Sequence, residues 1–121
     1  MDRLKEQWKD IFDGYSISNK GEIVSFKRDK FKLVQFKNKG KYKFVNLYLN
    51  GSPRSKSVGL LVANAFIPNP NNYKQIRFKD FNPDNCRVDN IEWASKKDCL
   101  YQEYEIRRRE FYKNLENENR E

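Results

Sequence analysis

The chain has no histidine anywhere in its 121 residues, and that absence removes a large share of enzyme chemistry. Without an imidazole there is no histidine general base, no Ser-His-Asp or Cys-His arrangement, and no zinc site with a histidine ligand. Cysteine is nearly missing as well. Cys86 and Cys99 cannot form a CxxC pair or a four-ligand metal site, and they read as reduced thiols. No apolar run approaches the length of a membrane span and no signal-peptide core is present, which predicts a soluble cytoplasmic protein without a membrane partner.

What the sequence has in quantity is positive charge, concentrated in one place. The net charge is +8. Residues 1–26 hold four Lys/Arg against five Asp/Glu, residues 57–95 four against four, and residues 96–121 seven against seven. Residues 27–56 hold ten Lys/Arg against Asp29 alone, a surplus of nine. A surplus confined to one segment marks a polyanion-binding surface better than a high isoelectric point does. Only 37% of residues are apolar but 15% are aromatic, so the core is built from few, large side chains. The length suits a single domain spanning 1–121.

The pattern along the chain predicts an α+β fold. Tyr15–Ser18 alternates as a short strand, Asn19-Lys20-Gly21 forms a turn, and Glu22–Phe26 returns as its partner. Phe31–Phe36 reads as a strand, Asn38-Lys39-Gly40 as a turn, Tyr42–Leu49 as a strong strand and Asn50-Gly51 as a hairpin turn. Val45, Leu47 and Leu49 share one face of that strand, and Tyr42, Phe44, Asn46 and Tyr48 the other. The basic ribbon of 27–58 therefore buries one face and sets aromatics among lysines on the other. Ser57–Phe66 has helical spacing and ends before Pro68. Ser95 with Asp98 opens a long helix over 96–118, with a stripe of Leu100, Tyr104, Phe111 and Leu115, a run of Arg107, Arg108 and Arg109, and a polar end from Asn114 that should fray. Trp8 and Tyr15 are expected in the core.

The order Asp80, Asn82, Asn85, Arg87, Val88, Asp89, Asn90, Ile91, Glu92, Trp93 resembles the ββα-metal core of HNH homing endonucleases, whose pattern is close to (D/N)H-x-D-G-N-x-x-N-N-R-x-x-N-L-x-W followed by a helix. Upstream, Trp8, Lys9, Ile11, Gly14, Tyr15, Ile17, Ser18, Asn19, Gly21, Ile23 and Ser25 resemble the nuclease-associated modular domain of the fourth type, found with phage and intron HNH enzymes. The stretch from Leu61 to Pro70 also follows that family, with Gly59 and Leu60 where it has a histidine and an arginine. The resemblance implies a modular part at 1–26, an HNH-like core at 59–99, and DNA as substrate. It also implies a water-activating histidine, which falls on Phe78. The metal ligands it implies fall on Arg77 and on Cys99, and of these positions Asn90 alone keeps the family residue. Phenylalanine has no lone pair to accept a proton, and arginine brings positive charge where a cation would sit. Asn85 and Asn90 read as tying a tight loop through side-chain hydrogen bonds.

These residues lead to the expectation of a protein that is not an enzyme, with no cofactor and no metal. It would bind double-stranded DNA without cleaving it, through Lys27, Arg28, Lys30, Lys32, Lys37, Lys39, Lys41, Lys43, Arg54 and Lys56. Arg77 adds a guanidinium facing the phosphate, or else pairs with Asp80 or Asp84. The alternative is a phage effector that binds and inhibits a host protein, with Arg107, Arg108 and Arg109 among its anchors. A third reading keeps a nuclease that uses Asp80, Asp84 or Glu92 to hold magnesium.

Overall fold

A computed structural model describes residues 2–12, 14–27 and 31–118. The order of elements is β1 (Trp8–Phe12), β2 (Tyr15–Ser18), β3 (Ile23–Ser25), β4 (Lys32–Leu33), β5 (Lys37–Lys39), β6 (Tyr42–Leu49), β7 (Ser52–Ser57), α1 (Val58–Phe66), β8 (Gln75–Phe78), β9 (Ile91–Ala94) and α2 (Lys96–Glu118). The α+β class with antiparallel sheets, a short core helix and a long C-terminal helix is as anticipated. The strands, however, divide into a sheet ordered β1-β2-β3-β4, a ribbon β5-β6-β7 and a hairpin β8-β9.

Each break has a local cause. The stretch from Phe31 to Phe36 was expected as one strand, but only Lys32–Leu33 pairs, against Ser25 and Val24 of β3. The chain then turns into the ribbon, where Lys37–Lys39 is a strand and the turn sits later, at Gly40 with φ +62°. At Asn50-Gly51 both residues have positive φ, +55° and +79°, as a type I′ hairpin turn requires. That turn sets the register in which Leu49 faces Ser52 and Leu47 faces Arg54. Val45 and Leu47 are then fully buried while Asn46 and Tyr48 are exposed.

The ribbon's buried face meets α1. Ser57 caps that helix, its Oγ accepting from the Leu60 N–H at 3.4 Å, and Val58, Val62 and Ala63 are fully buried with Ile17 and Ile23 of the first sheet. Each such aliphatic side chain contributes about 1.5–3 kcal/mol on burial. On its other side α1 lies so close to β8 that a Cβ on Gly59 would fall 2.6 Å from Ile76 Cδ1. Trp93 packs at the edge of this core and donates from Nε1 to the Ile67 carbonyl at 3.0 Å.

One expectation of burial fails. Tyr15 is in the core, but Trp8 is 43% exposed, because it lies on the edge strand β1, where only Ile11 turns inward. The stripe Leu100, Tyr104, Phe111 and Leu115 of the C-terminal helix is exposed. α2 docks instead through Gln102 and Ile106, and it stays helical through Glu118, past the point where fraying was expected. No helix among the described residues is long and apolar enough to cross a membrane.

Candidate nucleic-acid interface

The loop between β8 and β9 is held by three side chains that all point inward at one another. Asn90 accepts from the Asp80 N–H at 3.0 Å and donates to Asp80 Oδ1 at 2.9 Å and to the Asn85 carbonyl at 2.8 Å. Asn85 Nδ2 donates to Asp80 Oδ2 at 2.9 Å. Burial opposes the Asp80 charge, but the hydrogen bonds from Asn85, the Asn82 N–H and Asn90 outweigh it, and the carboxyl is held below its ordinary range. The loop-tying role read for Asn85 and Asn90 is what the geometry displays. Asn82 joins in, accepting from the Asp84 N–H at 3.1 Å. Phe81, where the HNH pattern has glycine, takes φ +63° and lies under Arg109, whose guanidinium is 4.3 Å from the ring centroid.

The modular N-terminal part is tied to the same loop. Asn19 is buried, its side chain bonds Gln7 N–H and the Lys5 carbonyl, and its own carbonyl accepts from the Val88 N–H at 2.8 Å. Gly21 sits against Cys86, where a Cβ would meet the Cys86 carbonyl oxygen at 3.1 Å. Asp2, Lys20, Arg87 and Asp89 close this junction on the outside with ion pairs of 2.8–3.2 Å.

Of the positions matched to the catalytic pattern, Phe78 is buried and Cys99 Sγ donates to the Ile76 carbonyl at 3.3 Å. Burial pushes the Cys99 thiol up. Arg77 pairs with neither Asp80 nor Asp84. It stands opposite Glu92 in the hairpin register, and its Nε lies 2.5 Å from Glu92 Oε1. That hydrogen bond raises the already high Arg77 pKa. Arg77, Lys79, Glu92, Asp98 and Tyr101 line a cavity of about 260 Å³. These groups do not fit a bound cation: a guanidinium occupies one ligand position, a thiol turned onto a carbonyl the other, and no three His, Cys, Asp or Glu side chains among the described residues converge to hold a metal.

One residue that sequence reasoning missed holds this region together. Gln102 is buried and grips the Phe78 backbone with both ends of its amide, Oε1 accepting from the N–H at 2.7 Å and Nε2 donating to the carbonyl at 2.6 Å. A polar residue one turn after Cys99 was the available signal, but only the docked helix shows what it meets.

The basic segment is arranged by the ribbon's register. Lys37 and Lys39 stand opposite Phe44 and Tyr42, while Lys56 and Arg54 stand opposite Val45 and Leu47. Lys39 Nζ is 5.1 Å from the Phe44 ring centroid and bonds Ser55 Oγ, Lys43 is 5.1 Å from Phe36, Lys56 is 6.0 Å from Phe12 and Lys27 is 4.7 Å from Tyr15. Lysine stems laid on rings are spread and partly fixed, and each contact contributes about 0.5–1 kcal/mol. Lys32, Lys37 and Arg54 are exposed. Lys41 is compensated, its Nζ 2.9 Å from Glu110 but out of line for a hydrogen bond. Arg28 and Lys30 lie outside the described residues. The three arginines of α2 are also engaged: Arg107 with Glu103, Arg108 with Glu105 and the Tyr112 ring, and Arg109 with Phe81.

Known proteins share the motif and the fold. Residues 6–48 match the family model of the NUMOD4 motif. A protein of Acanthamoeba polyphaga mimivirus, "Uncharacterized HNH endonuclease L245", is 37% identical over 93 residues, covering 75% of this chain and 28% of the relative. "DNA endonuclease I-HmuI" of Bacillus phage SP01 is 33% identical over 94 residues, covering 75% of this chain and 53% of the relative. The solved structure of DNA binding and cleavage by the HNH homing endonuclease I-HmuI superposes with a TM-score of 0.69 at 28% identity, over 82% of this chain and 58% of that one. The chain thus spans about half, or less, of the length of the curated relatives it matches. Both relatives are named endonucleases, which overturns the expectation of a protein that is not an enzyme.

Proposed function

This chain is an HNH-endonuclease-like protein that carries a NUMOD4 motif, and on that premise we propose that it binds double-stranded DNA through the basic ribbon β5–β7 and the residues leading into it. The observation that carries the reading is the charge of residues 27–56, ten Lys/Arg against one Asp, of which Lys37, Lys39, Lys43, Arg54 and Lys56 stand on the antiparallel strands of the ribbon. A two-stranded β-ribbon fits the major groove, and β-sheet readers set strands in a groove or along its phosphates. Lys32, Lys37 and Arg54 make the outermost phosphate contacts. The ring-stacked Lys39, Lys43 and Lys56 fix the spacing of the next ones. Arg77 approaches the same backbone from the β8–β9 hairpin when Glu92 yields one of its oxygens.

Any cleavage chemistry on these 121 residues would proceed without an imidazole, since they contain none. What its own residues present at the hairpin is a balanced set of charges, Arg77 and Lys79 beside Glu92 and Asp98, and a loop locked by Asp80, Asn85 and Asn90.

Fluorescence anisotropy of a labelled duplex tests the reading. Six or more phosphate contacts predict a fall in affinity of roughly a thousandfold between about 50 and 200 mM salt, and Lys37→Ala with Arg54→Ala should flatten the slope by about two counterions. Binding that ignores salt, or no binding at low salt, would refute it. Running the same mixtures with magnesium on a gel gives the chain's nuclease rate directly.

A further inference from the structure

α2 has two faces of opposite character, and the apolar one points away from the body. At 3.6 residues per turn, Gln102, Ile106, Arg109 and Glu110 lie on one side, where they meet Phe78, the core, Phe81 and Lys41. Tyr101, Tyr104, Arg108, Phe111 and Leu115 lie on the opposite side, at alternating spacings of three and four that are the a and d positions of a heptad. Tyr101, Tyr104 and Phe111 are 63%, 61% and 60% exposed. A surface helix normally turns such a stripe inward.

We infer that this face is the interface of a homodimer, in which α2 pairs antiparallel with α2 of a second copy. The face is complementary to itself in that direction. With the two-fold axis midway between Arg108 and Phe111, each Arg108 meets the other copy's Phe111, each Tyr104 meets Leu115, and each Tyr101 hydroxyl meets Glu118. Arg107 falls beside Asn114 and Glu105 beside Tyr112. Shifting the helices by one heptad toward their N-termini would set Arg107 against Arg107 and Glu105 against Glu105, so like-charge repulsion excludes that register. The area is also suitable. Tyr101, Tyr104, Phe111 and Tyr112 are each more than half exposed. At about 200 Å² per aromatic side chain they offer roughly 450–500 Å² per copy, and with Leu100, Leu115 and the Arg108 stem the total approaches the ~800 Å² per partner of a specific interface. A two-fold contact of this kind is closed and leaves both basic ribbons free. The inference does not rest on the DNA-binding reading.

Sedimentation equilibrium of the full chain at about 100 µM, well above a micromolar Kd, tests it. The expected mass is twice the 14.6 kDa of one chain, returning to one chain in Phe111→Glu and Leu115→Glu with unchanged circular dichroism. The double variant Tyr104→Cys with Leu115→Cys should oxidise to a covalent dimer, and Tyr104→Cys alone should not. A wild type that stays monomeric at that concentration, or a dimer indifferent to Phe111→Glu, overturns the inference. Cross-linking by Tyr104→Cys alone overturns the antiparallel pairing. A monomer whose Phe111→Glu variant loses duplex affinity assigns the face to DNA and overturns it as well.

Discussion

Gln102 is the point at which α2 holds the hairpin, and its removal should show clearly in stability. Gln102→Ala leaves the Phe78 N–H without the 2.7 Å bond that is its partner, and removes one of two donors to the Phe78 carbonyl, the other being the Phe81 N–H at 3.0 Å. An orphaned buried N–H costs about 1–3 kcal/mol and the lost second bond about 1 kcal/mol, so the expected loss is about 3 kcal/mol. For a domain of this size that lowers the melting temperature by roughly 10 °C. Gln102→Glu sharpens the test. A carboxylate keeps the acceptor for the N–H but turns a second oxygen onto the Phe78 carbonyl, and only the protonated acid can donate to it. The folded state should therefore raise that carboxyl's pKa above the free value of about 4.3, so the variant's stability is present below that value and is lost as pH rises through the folded pKa. Urea unfolding between pH 3.5 and 7 measures both. A loss under ~1 kcal/mol for Gln102→Ala, or a Gln102→Glu variant without this pH dependence, would refute the clamp.

Three further outcomes follow from the same geometry. Because the Asp80 carboxyl is held below its ordinary range, the stability it confers is present above the unfolded pKa of about 3.9 and is lost as pH falls through the folded value; Asp80→Asn should flatten that acid limb of a urea-unfolding series. Burial pushes the Cys86 thiol up to about 11, so iodoacetamide at pH 8 should label it only on unfolding, as peptide mass spectrometry with and without urea would reveal. Gly21→Ala must accept φ +88° and a Cβ 3.1 Å from the Cys86 carbonyl, which should cost about 1–3 kcal/mol in a thermal melt; an unchanged melting temperature would mean that the NUMOD4 turn does not bear on the hairpin loop.

Elements defined by short-range rules were legible from residues alone. Asn50-Gly51 specifies its turn because both residues tolerate positive φ, and Ser57 and Ser95 cap their helices because a hydroxyl two or three residues before a free N–H has a local partner. The alternation in Tyr42–Leu49 named the buried face of the ribbon correctly. The loop of Asp80, Asn85 and Asn90 was readable for the same reason, since its bonds span only five to ten residues. Trp8 was misjudged because size and apolarity say nothing about whether a strand lies at a sheet edge.

The sequence by itself determined the charge distribution, the absence of imidazole, the class of elements and the HNH-like ancestry, since these depend on residue identity and on neighbours a few positions apart. Tertiary structure alone decided that Arg77 pairs with Glu92, that Gln102 grips Phe78, and that the aromatic stripe of α2 faces outward. These contacts join residues 15 and 24 positions apart, or none at all. Which side of a helix is buried depends on what it docks against, and for α2 the docked side carries Gln102 and Ile106 while the aromatic stripe lies opposite.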